Sequence, residues 1–245
     1  MATVLVTGAA GLLGGTLCPL LAAAGHRVVR LGRSGEVDLR VDLADDAATR
    51  AALERCAPEA IVNLAALTNV DECERQPRAA YRANVRTVEN IAGWMRERER
   101  DCHLVQISTD QVYDGAGPHR EDDVTLTNYY AFSKYAAELA TLGVSATVLR
   151  TNFFGPSKRA GRASLSDWLA TSLSRGDAIT VFDDVLFSPL SLGRLAELIA
   201  LTIAKRPRGT FNLGSRAGLS KADFAFALAA ALGLPPGGMR RGSSR

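Results

Sequence analysis

Tyr130 and Lys134 have the spacing that most directly suggests chemistry. Residues four apart share one face of a helix, so the spacing places a phenol beside an ammonium group. A tyrosine with an ordinary pKa of about 10 is a poor acid–base group at neutral pH, and a nearby cation lowers that pKa. Five tyrosines and four lysines give about 0.08 such pairs by chance. We predict proton transfer at Tyr130; a surface contact without chemistry is the alternative for the pair taken alone.

A hydroxyl group is predicted to join this pair from the end of a strand. The apolar run 103–107 leads into Ser108, Thr109 and Asp110. A hydroxyl at the carboxyl end of a parallel strand faces the ligand cleft and can hydrogen-bond a substrate carbonyl oxygen. Thr109 is the predicted residue, since Ser108 is one position out of phase. The alternative is that either hydroxyl only caps a turn.

Three glycines follow the first apolar run. Gly8, Gly11 and Gly14 form G-x-x-G-x-x-G between a predicted strand and a predicted helix. A dinucleotide site needs the first for a tight turn, the second for close approach to a pyrophosphate, and the third for packing of the helix on the strand. We predict such a site, lined also by Ala10 and Leu12, with helix N–H groups facing the phosphates. A glycine-rich turn without a ligand is the alternative.

The residues after the second predicted strand indicate which dinucleotide binds. An acid would recognise a free ribose 2′-hydroxyl, but the sequence places Arg33 here. An arginine forms charge-assisted hydrogen bonds with a 2′-phosphate, so NADP is the predicted cofactor, with NAD as the alternative. A solvated surface arginine is the other interpretation of Arg33. Asp42 and Leu43 are predicted to touch the adenine, although the pair fits a helix cap equally well.

Alternating strands and helices position these residues. Each predicted strand is short and apolar on both faces, as buried parallel strands are. The predicted strands are 3–6, 27–31, 60–63, 103–107 and 146–149, and the predicted helices are 12–24, 47–56, 78–100 and 129–142. Such repeats require right-handed crossovers. The predicted fold is α/β, a doubly wound parallel sheet of the Rossmann type, with residues 1–151 as the dinucleotide-binding domain.

The pattern is less regular in the second part of the chain. Residues 152–163 read as a loop, helices are predicted at 165–174, 192–205 and 220–232, and strands at 179–182 and 210–213. We predict a smaller α/β substrate-binding lobe over residues 152–234, with the helix at about 191–205 packing back on the first domain. Residues 235–245, a polar Gly/Pro-rich tail, are predicted to be disordered.

Composition excludes several classes of protein. Hydrophobic residues make up 47% of the 245 and the net charge is only +3, which excludes disorder as the main state. The 25 arginines are scattered among 26 acidic residues, so no nucleic-acid partner is predicted. The apolar runs are too short to span a membrane. Four cysteines without C-x-x-C spacing and three separated histidines predict neither disulfides nor a metal site, and a cytoplasmic location is expected.

These features together resemble the extended branch of the short-chain dehydrogenase/reductase superfamily, and within it the dTDP-4-dehydrorhamnose reductase family. The glycine turn and the Tyr/Lys pair (YAFSK, 130–134) are shared by the superfamily. Other runs narrow the resemblance: VNLAALTNVDECE at 62–74, ISTDQVYDG at 107–115 and VLRTNFFG at 148–155. It covers residues 1 to about 155 well and the remainder weakly.

The resemblance implies a role for each matching residue. It makes Tyr130 the proton donor, Lys134 the residue that binds the nicotinamide ribose and lowers the tyrosine pKa, and Thr109 the hydroxyl that polarises the carbonyl group. The other implied residues line the cofactor or the substrate: Ala65, Ala66 and Thr68 the cofactor, and Asp110, Asn84 and Phe153 the sugar and the loops around it.

The implied activity is reduction of a nucleotide-linked 4-keto-6-deoxysugar by NADPH or NADH, with that sugar as the partner and a homodimer as an open option. Two alternatives remain at this stage. An epimerase or dehydratase on the same fold would return the hydride and consume no NAD(P)H. A non-catalytic subunit, resembling the regulatory subunit of methionine adenosyltransferase, would bind NADP without turnover. The reductase is the leading hypothesis, and because fold alone does not fix function the other two stay open as alternatives.

Overall fold

A seven-stranded sheet organises the first part of the chain. The computed structural model describes residues 1–97, 101–115, 117–157 and 163–244. Its strands are β1 (Thr3–Thr7), β2 (Arg27–Gly32), β3 (Leu39–Arg40), β4 (Ala60–Asn63), β5 (His103–Thr109), β6 (Ala146–Thr151) and β11 (Gly209–Leu213). They lie side by side in the order β11-β6-β5-β4-β1-β2-β3. The neighbouring pairs β3–β2, β2–β1, β1–β4 and β4–β5 are all parallel. The predicted Rossmann-type doubly wound sheet is confirmed.

Helices connect the strands of this sheet. They are α1 (Gly14–Ala23), α2 (Asp46–Cys56), α3 (Val70–Arg75), α4 (Pro77–Ala80), α5 (Thr87–Glu97), α6 (Tyr129–Ala140) and α8 (Leu192–Lys205), with a π-helical turn at Tyr81–Arg86 and a 3₁₀ turn at Asp110–Val112. The single helix predicted at 78–100 is wrong in detail, because the π turn separates α4 from α5. Its last three predicted residues lie outside the described residues.

The chain divides into two compact units. The first contains Met1–Arg150 and Gly193–Asn212, and the second contains Thr151–Leu192 and the residues from Leu213 onward. A core cluster of the first unit is formed by apolar side chains from one face of the sheet and from the helices α2 and α5 that cover it. Its fully buried members include Leu5, Leu31, Leu53, Ile61, Ile91, Trp94 and Leu104.

The second unit has its own apolar core. Its helices are α7 (Leu165–Arg175) and α9 (Lys221–Leu232), and its strands are β7 (Phe153–Phe154), β8 (Ile179–Phe182), β9 (Leu186–Phe187), β10 (Leu190–Ser191), β12 (Leu219–Ser220) and β13 (Met239–Gly242). The strands pair two by two. Leu169, Phe187 and Phe224 are buried together, and the Phe187 and Phe224 rings meet edge to face at 5.4 Å. Residues 153–154, predicted as loop, are therefore strand.

The C-terminal tail is a correction to the sequence prediction. Residues 239–242 form β13, which pairs in parallel with β8, and Met239 is buried in the core of the second unit. Ion pairs fix the strand further, because the Arg241 guanidinium binds the carboxylates of Asp183 and Asp223. Composition alone predicted disorder, since glycine and proline in 235–238 obscure the short strand that follows them. In the described ranges, none of the helices is both long and apolar enough to cross a bilayer.

Candidate active site

Helix α6 presents Tyr130 and Lys134 one turn apart. The helix begins after Asn128, whose side-chain oxygen accepts a hydrogen bond from the Ala131 N–H at 2.8 Å, a standard N-cap. The two side chains are buried, with 7% of Tyr130 and 4% of Lys134 exposed. Both residues lie on one helix, as their spacing predicted. A solvated surface contact is excluded, because neither side chain lies at the surface.

Thr109 meets Tyr130 at the end of β5. Its hydroxyl lies near enough to the phenol to lower the pKa of Tyr130, so the strand and the helix converge on one point. The Thr109 Oγ1 also accepts the Gln111 N–H at 3.2 Å and thereby caps the 3₁₀ turn. Both interpretations of Thr109, as a site residue and as a cap, describe what the side chain does. Ser108, out of phase as predicted, points elsewhere and donates to the Glu138 carboxylate.

Burial controls the ionisation of the pair. It raises the pKa of Tyr130 to about 12, a shift that the Thr109 hydroxyl opposes and the nearby Asp110 charge reinforces. Burial lowers the pKa of Lys134 to about 8, which the Glu138 charge partly offsets. The lowering of the tyrosine pKa by Lys134 stays a prediction; in the structure the Lys134 Nζ donates to the Ile107 carbonyl oxygen at 2.6 Å. The phenol therefore keeps its proton at neutral pH, as a proton donor must.

A row of buried polar side chains runs beneath this site and was not predicted. The sheet register places Thr7 opposite Asn63, and Asn63 opposite Gln106. The Thr7 hydroxyl donates to Asn63 at 2.5 Å, the Asn63 amide donates to Gln106 at 2.8 Å, and the Gln106 amide donates to the Ile107 carbonyl oxygen at 3.2 Å. That oxygen also accepts from Lys134. The signal in the sequence is one polar residue near the end of each apolar strand.

Asn84 connects the loop after β4 to α6. The side chain lies in the π turn and is 1% exposed. Its oxygen accepts the Leu67 N–H at 2.7 Å, while its amide donates to the Leu67 carbonyl oxygen at 3.0 Å and to the Ser133 hydroxyl at 2.8 Å. The implied role in ordering the loops agrees with these contacts. Direct contact with a substrate does not, since the whole amide is buried and engaged.

Replacing Asn84 tests this connection. We expect Asn84→Ala to lower the free energy of unfolding by about 3 kcal/mol, because three hydrogen bonds worth about 1 kcal/mol each are lost and the Leu67 backbone is left buried without partners. Urea unfolding monitored by circular dichroism measures the loss. Ser133→Ala is the matched control and removes one of the three bonds, for an expected loss of about 1 kcal/mol. Equal losses for the two variants would contradict the assignment.

The glycine turn packs as closely as its motif requires. Gly8 has a φ of +61°, and a Cβ there would lie 2.9 Å from the Ala65 backbone nitrogen. Helix α1 begins with neither a side-chain cap nor an acidic residue in its first turn. The N–H groups of Ala10 and Leu12 donate to no partner among the described residues. The positive end of α1 thus offers free donors to an anion, which fits the pyrophosphate of a dinucleotide.

The segment after β2 lies directly against this turn. A Cβ on Gly35 would be 2.7 Å from the Ala10 Cβ, so the loop that carries Arg33 is in contact with the glycine turn. Arg30 is engaged by Asp38, with Nη2 2.7 Å from the carboxylate. Arg33 is exposed and makes no ion pair with any residue of the described ranges. Of the two arginines, Arg33 is the one available to a ligand.

Asp42 is exposed and Leu43 is buried at the segment that leads into α2. The Leu43 side chain is buried in the core, and its carbonyl oxygen accepts from the Thr49 hydroxyl and the Asn90 amide. The Asp42 carboxylate accepts the Ala44 N–H at 3.1 Å and pairs with Arg82 at 3.2 Å. Contact of Asp42 and Leu43 with adenine stays a prediction. The cap of α2 is Asp45, so the alternative interpretation of Asp42–Leu43 as a helix cap is wrong.

The remaining predicted residues lie in two places. Ala65 and Ala66 are partly buried and Thr68 is exposed in the loop after β4, which contacts the glycine turn through Gly8. Phe153 is half-buried in β7 of the second unit and pairs with Leu190. In the described part of the chain, histidine, cysteine and carboxylate side chains form no cluster of three that could hold a metal ion.

Comparison with known proteins gives the chain a family. A family model described as the RmlD substrate binding domain matches residues 1–240. The dTDP-4-dehydrorhamnose reductase of Streptomyces griseus is 35% identical over 217 residues, which cover 86% of this chain and 68% of that protein. The dTDP-4-keto-6-deoxy-D-glucose reductase of Streptomyces niveus is 32% identical over 243 residues, which cover 96% and 81%.

Solved structures agree with these matches. A hypothetical dTDP-4-dehydrorhamnose reductase from Sulfolobus tokodaii superimposes with a TM-score of 0.89 at 28% identity, covering 99% of this chain and 86% of that one. The likeness therefore extends over the described parts of both units, including the second, where the sequence resemblance is weak. In each of these comparisons the similarity extends over most of the chain.

Proposed function

The chain belongs to the RmlD substrate-binding-domain family, and on that premise we propose that it is an NAD(P)H-dependent reductase of a nucleotide-linked 4-keto-6-deoxysugar. One observation carries the assignment of the reacting groups. The side chains of Tyr130 and Thr109 are both buried beside each other at the carboxyl end of β5, and Lys134, also buried, follows Tyr130 by one turn of α6. Donors fixed in this way act on an oxygen where negative charge develops.

Tyr130 is the proposed proton donor. Its pKa of about 12 keeps the phenol protonated at neutral pH, and an alkoxide forming on the sugar is basic enough to take that proton. The Thr109 hydroxyl lies beside the phenol and favours the phenolate left behind. The proton and the second donor are thus supplied by side chains already held in place by α6 and β5.

The glycine turn and Lys134 are the proposed cofactor-binding groups. The free N–H groups of Ala10 and Leu12 would bind the pyrophosphate, and the Lys134 ammonium would bind the nicotinamide ribose. The bound reduced cofactor supplies the hydride that the keto carbon accepts. We propose that the second unit, with Phe153, binds the sugar, and that the enzyme works in the cytoplasm as a homodimer. Sedimentation velocity of the purified protein tests the dimer.

A cofactor-oxidation assay tests the proposed function. The purified protein is mixed with NADPH or NADH and a panel of dTDP-4-keto-6-deoxysugars, and absorbance at the reduced nicotinamide band is followed. We expect net oxidation with at least one sugar of the panel. A product formed without net NAD(P)H consumption would indicate an epimerase or dehydratase instead. Cofactor binding without turnover of any sugar would favour a regulatory subunit.

Cofactor preference depends on Arg33. We expect Arg33→Ala to raise the Kd for NADPH by about 10- to 100-fold and to leave the Kd for NADH unchanged, because a charge-assisted hydrogen bond to the 2′-phosphate contributes about 1.5–3 kcal/mol. Fluorescence titration of both nucleotides measures the ratio. Arg27→Ala, at the opposite end of β2, is the control and should leave both constants unchanged. Equal weakening of NADPH and NADH by Arg33→Ala would contradict the prediction.

A further inference from the structure

A buried ion pair lies next to the proposed active site. The Arg150 and Glu138 side chains are 3% and 4% exposed, and the Arg150 Nη2 is 2.6 Å from the Glu138 Oε2. The Arg150 Nε lies 3.1 Å from both carboxylate oxygens. Every other ion pair recorded in the described ranges has both side chains at least 31% exposed. Desolvation makes such a pair a poor source of stability, so stability is a weak reason for its presence.

Glu138 reaches the reacting groups from two directions. It lies one turn beyond Lys134 on α6, and its carboxylate is the acceptor of the Ser108 hydroxyl. Ser108 immediately precedes Thr109, whose hydroxyl meets Tyr130. The position of the carboxylate therefore sets the position of the strand end that carries Thr109. The same negative charge favours the ammonium form of Lys134.

Arg150 fixes the segment on the other side of Thr109. Its Nη1 donates to the Tyr113 hydroxyl at 2.7 Å and to the Glu121 carbonyl oxygen at 2.6 Å. The Tyr113 hydroxyl in turn donates to Asn212 at 2.6 Å. The guanidinium thus holds the chain that leaves β5, while its carboxylate partner holds the end of β5 itself. Thr109 lies between these two attachments.

We propose that Glu138 and Arg150 form a positioning pair that holds Thr109 and Lys134 in the arrangement that the reduction requires. Neither side chain touches the reacting atoms; the pair acts through Ser108, through the segment after β5 and through its charge beside Lys134. The proposal rests on the proposed function, because it assigns the purpose of the pair to that reaction.

A double substitution separates positioning from stability. Replacing Glu138 or Arg150 alone leaves a buried charge without its partner, so Glu138→Leu and Arg150→Met should each destabilise the protein. The double variant removes both charges and should unfold close to the parent's temperature. We expect its kcat to fall by about a hundredfold, with the KM for the sugar changed far less, because misplacement of catalytic groups acts on the transition state. A stable double variant with the parent's kcat overturns the proposal.

A single substitution at Ser108 tests the same proposal and leaves both side chains of the ion pair in place. Ser108→Ala breaks only the link to Glu138, and we expect kcat to fall about fivefold with the small drop in melting temperature that loss of one buried hydrogen bond brings. Ser145→Ala is the matched control: it breaks a 3.0 Å hydrogen bond to His103, near the other end of the sheet strands, and should leave kcat unchanged. An unchanged kcat in Ser108→Ala counts against the proposal. If the double variant does not fold, this result alone overturns the proposal.

Cofactor binding distinguishes failure of this inference from failure of the proposed function. If the parent protein fails to oxidise NADPH with any sugar of the panel, the proposed reductase function is wrong. The Kd for NADPH then remains a readout of Lys134, and we expect it to rise about fivefold in the double variant, the loss of one hydrogen bond. If Kd is unchanged there, the positioning pair is rejected as well.

Discussion

Replacing Tyr130 with phenylalanine is expected to lower kcat by about 10²- to 10⁴-fold, the usual contribution of a positioned acid. The substitution removes only the hydroxyl, and with it the proton and the contact with Thr109. The glycine turn and Lys134 are unchanged, so the Kd for NADPH should stay within about twofold of the parent value, less than the loss of one hydrogen bond. Stopped-flow or steady-state assays give kcat, and fluorescence titration gives Kd.

Tyr129→Phe is the matched control for this variant. Tyr129 is the preceding residue of α6 and is partly buried, but its side chain packs against the Phe132 ring at 5.4 Å rather than meeting Thr109. We expect it to keep the parent kcat. A Tyr130→Phe enzyme as fast as the parent would remove Tyr130 from the mechanism and leave the proton to another group.

A methyl group added at Gly14 (Gly14→Ala) should disrupt the cofactor site more severely than one added elsewhere in the first turn of α1. A Cβ at Gly14 would lie 2.3 Å from the Ala9 carbonyl oxygen and 2.7 Å from its backbone carbons. Backbone atoms cannot move aside as a flexible side chain can, so α1 must shift away from the turn. We expect a loss of about 3 kcal/mol in the free energy of unfolding, which is at the upper end of the usual cost of overpacking a core. We also expect NADPH binding to be lost.

Urea unfolding and fluorescence titration measure the two effects of Gly14→Ala. Gly193→Ala in α8 is the control, because nothing lies within 4 Å of the added Cβ and the glycine is likewise at the start of a helix. We expect this control to be neutral or to stabilise by up to about 1 kcal/mol, the difference in helix propensity. If Gly14→Ala unfolded at the parent's urea midpoint, the assigned packing of α1 on the turn would be wrong.

The sheet could be predicted from the sequence because its strands are short, apolar and separated by helices of the expected length. The five strands predicted in the first part of the chain all exist, with ends shifted by at most two residues. The π turn around Asn84 could not be predicted in this way. It inserts one extra residue into a helical period, and its hydrogen bonds to Leu67 depend on a loop 17 residues away in the chain.

The positions of the site residues could be predicted from the sequence where they depend only on the edge of the sheet. Tyr130, Lys134 and Thr109 follow from a helix period and a strand end, and the structure places them together. Their ionisation did not follow, because it depends on burial and on the nearby Asp110 and Glu138 charges rather than on spacing. The Glu138–Arg150 pair was missed for a similar reason: its two members lie on different elements, with no shared motif.

The contact between Gly35 and Ala10 has a consequence for attempts to change the cofactor. The loop proposed to discriminate between the ribose substituents lies against the turn proposed to hold the phosphates, because a Cβ added at Gly35 would lie 2.7 Å from the Ala10 Cβ. A graft that brings in a bulkier residue at position 35 from an NAD-specific donor would push the phosphate turn out of shape along with the selectivity it was meant to change. Chimeras of this enzyme should therefore exchange residues 8–14 and 33–37 together as one block.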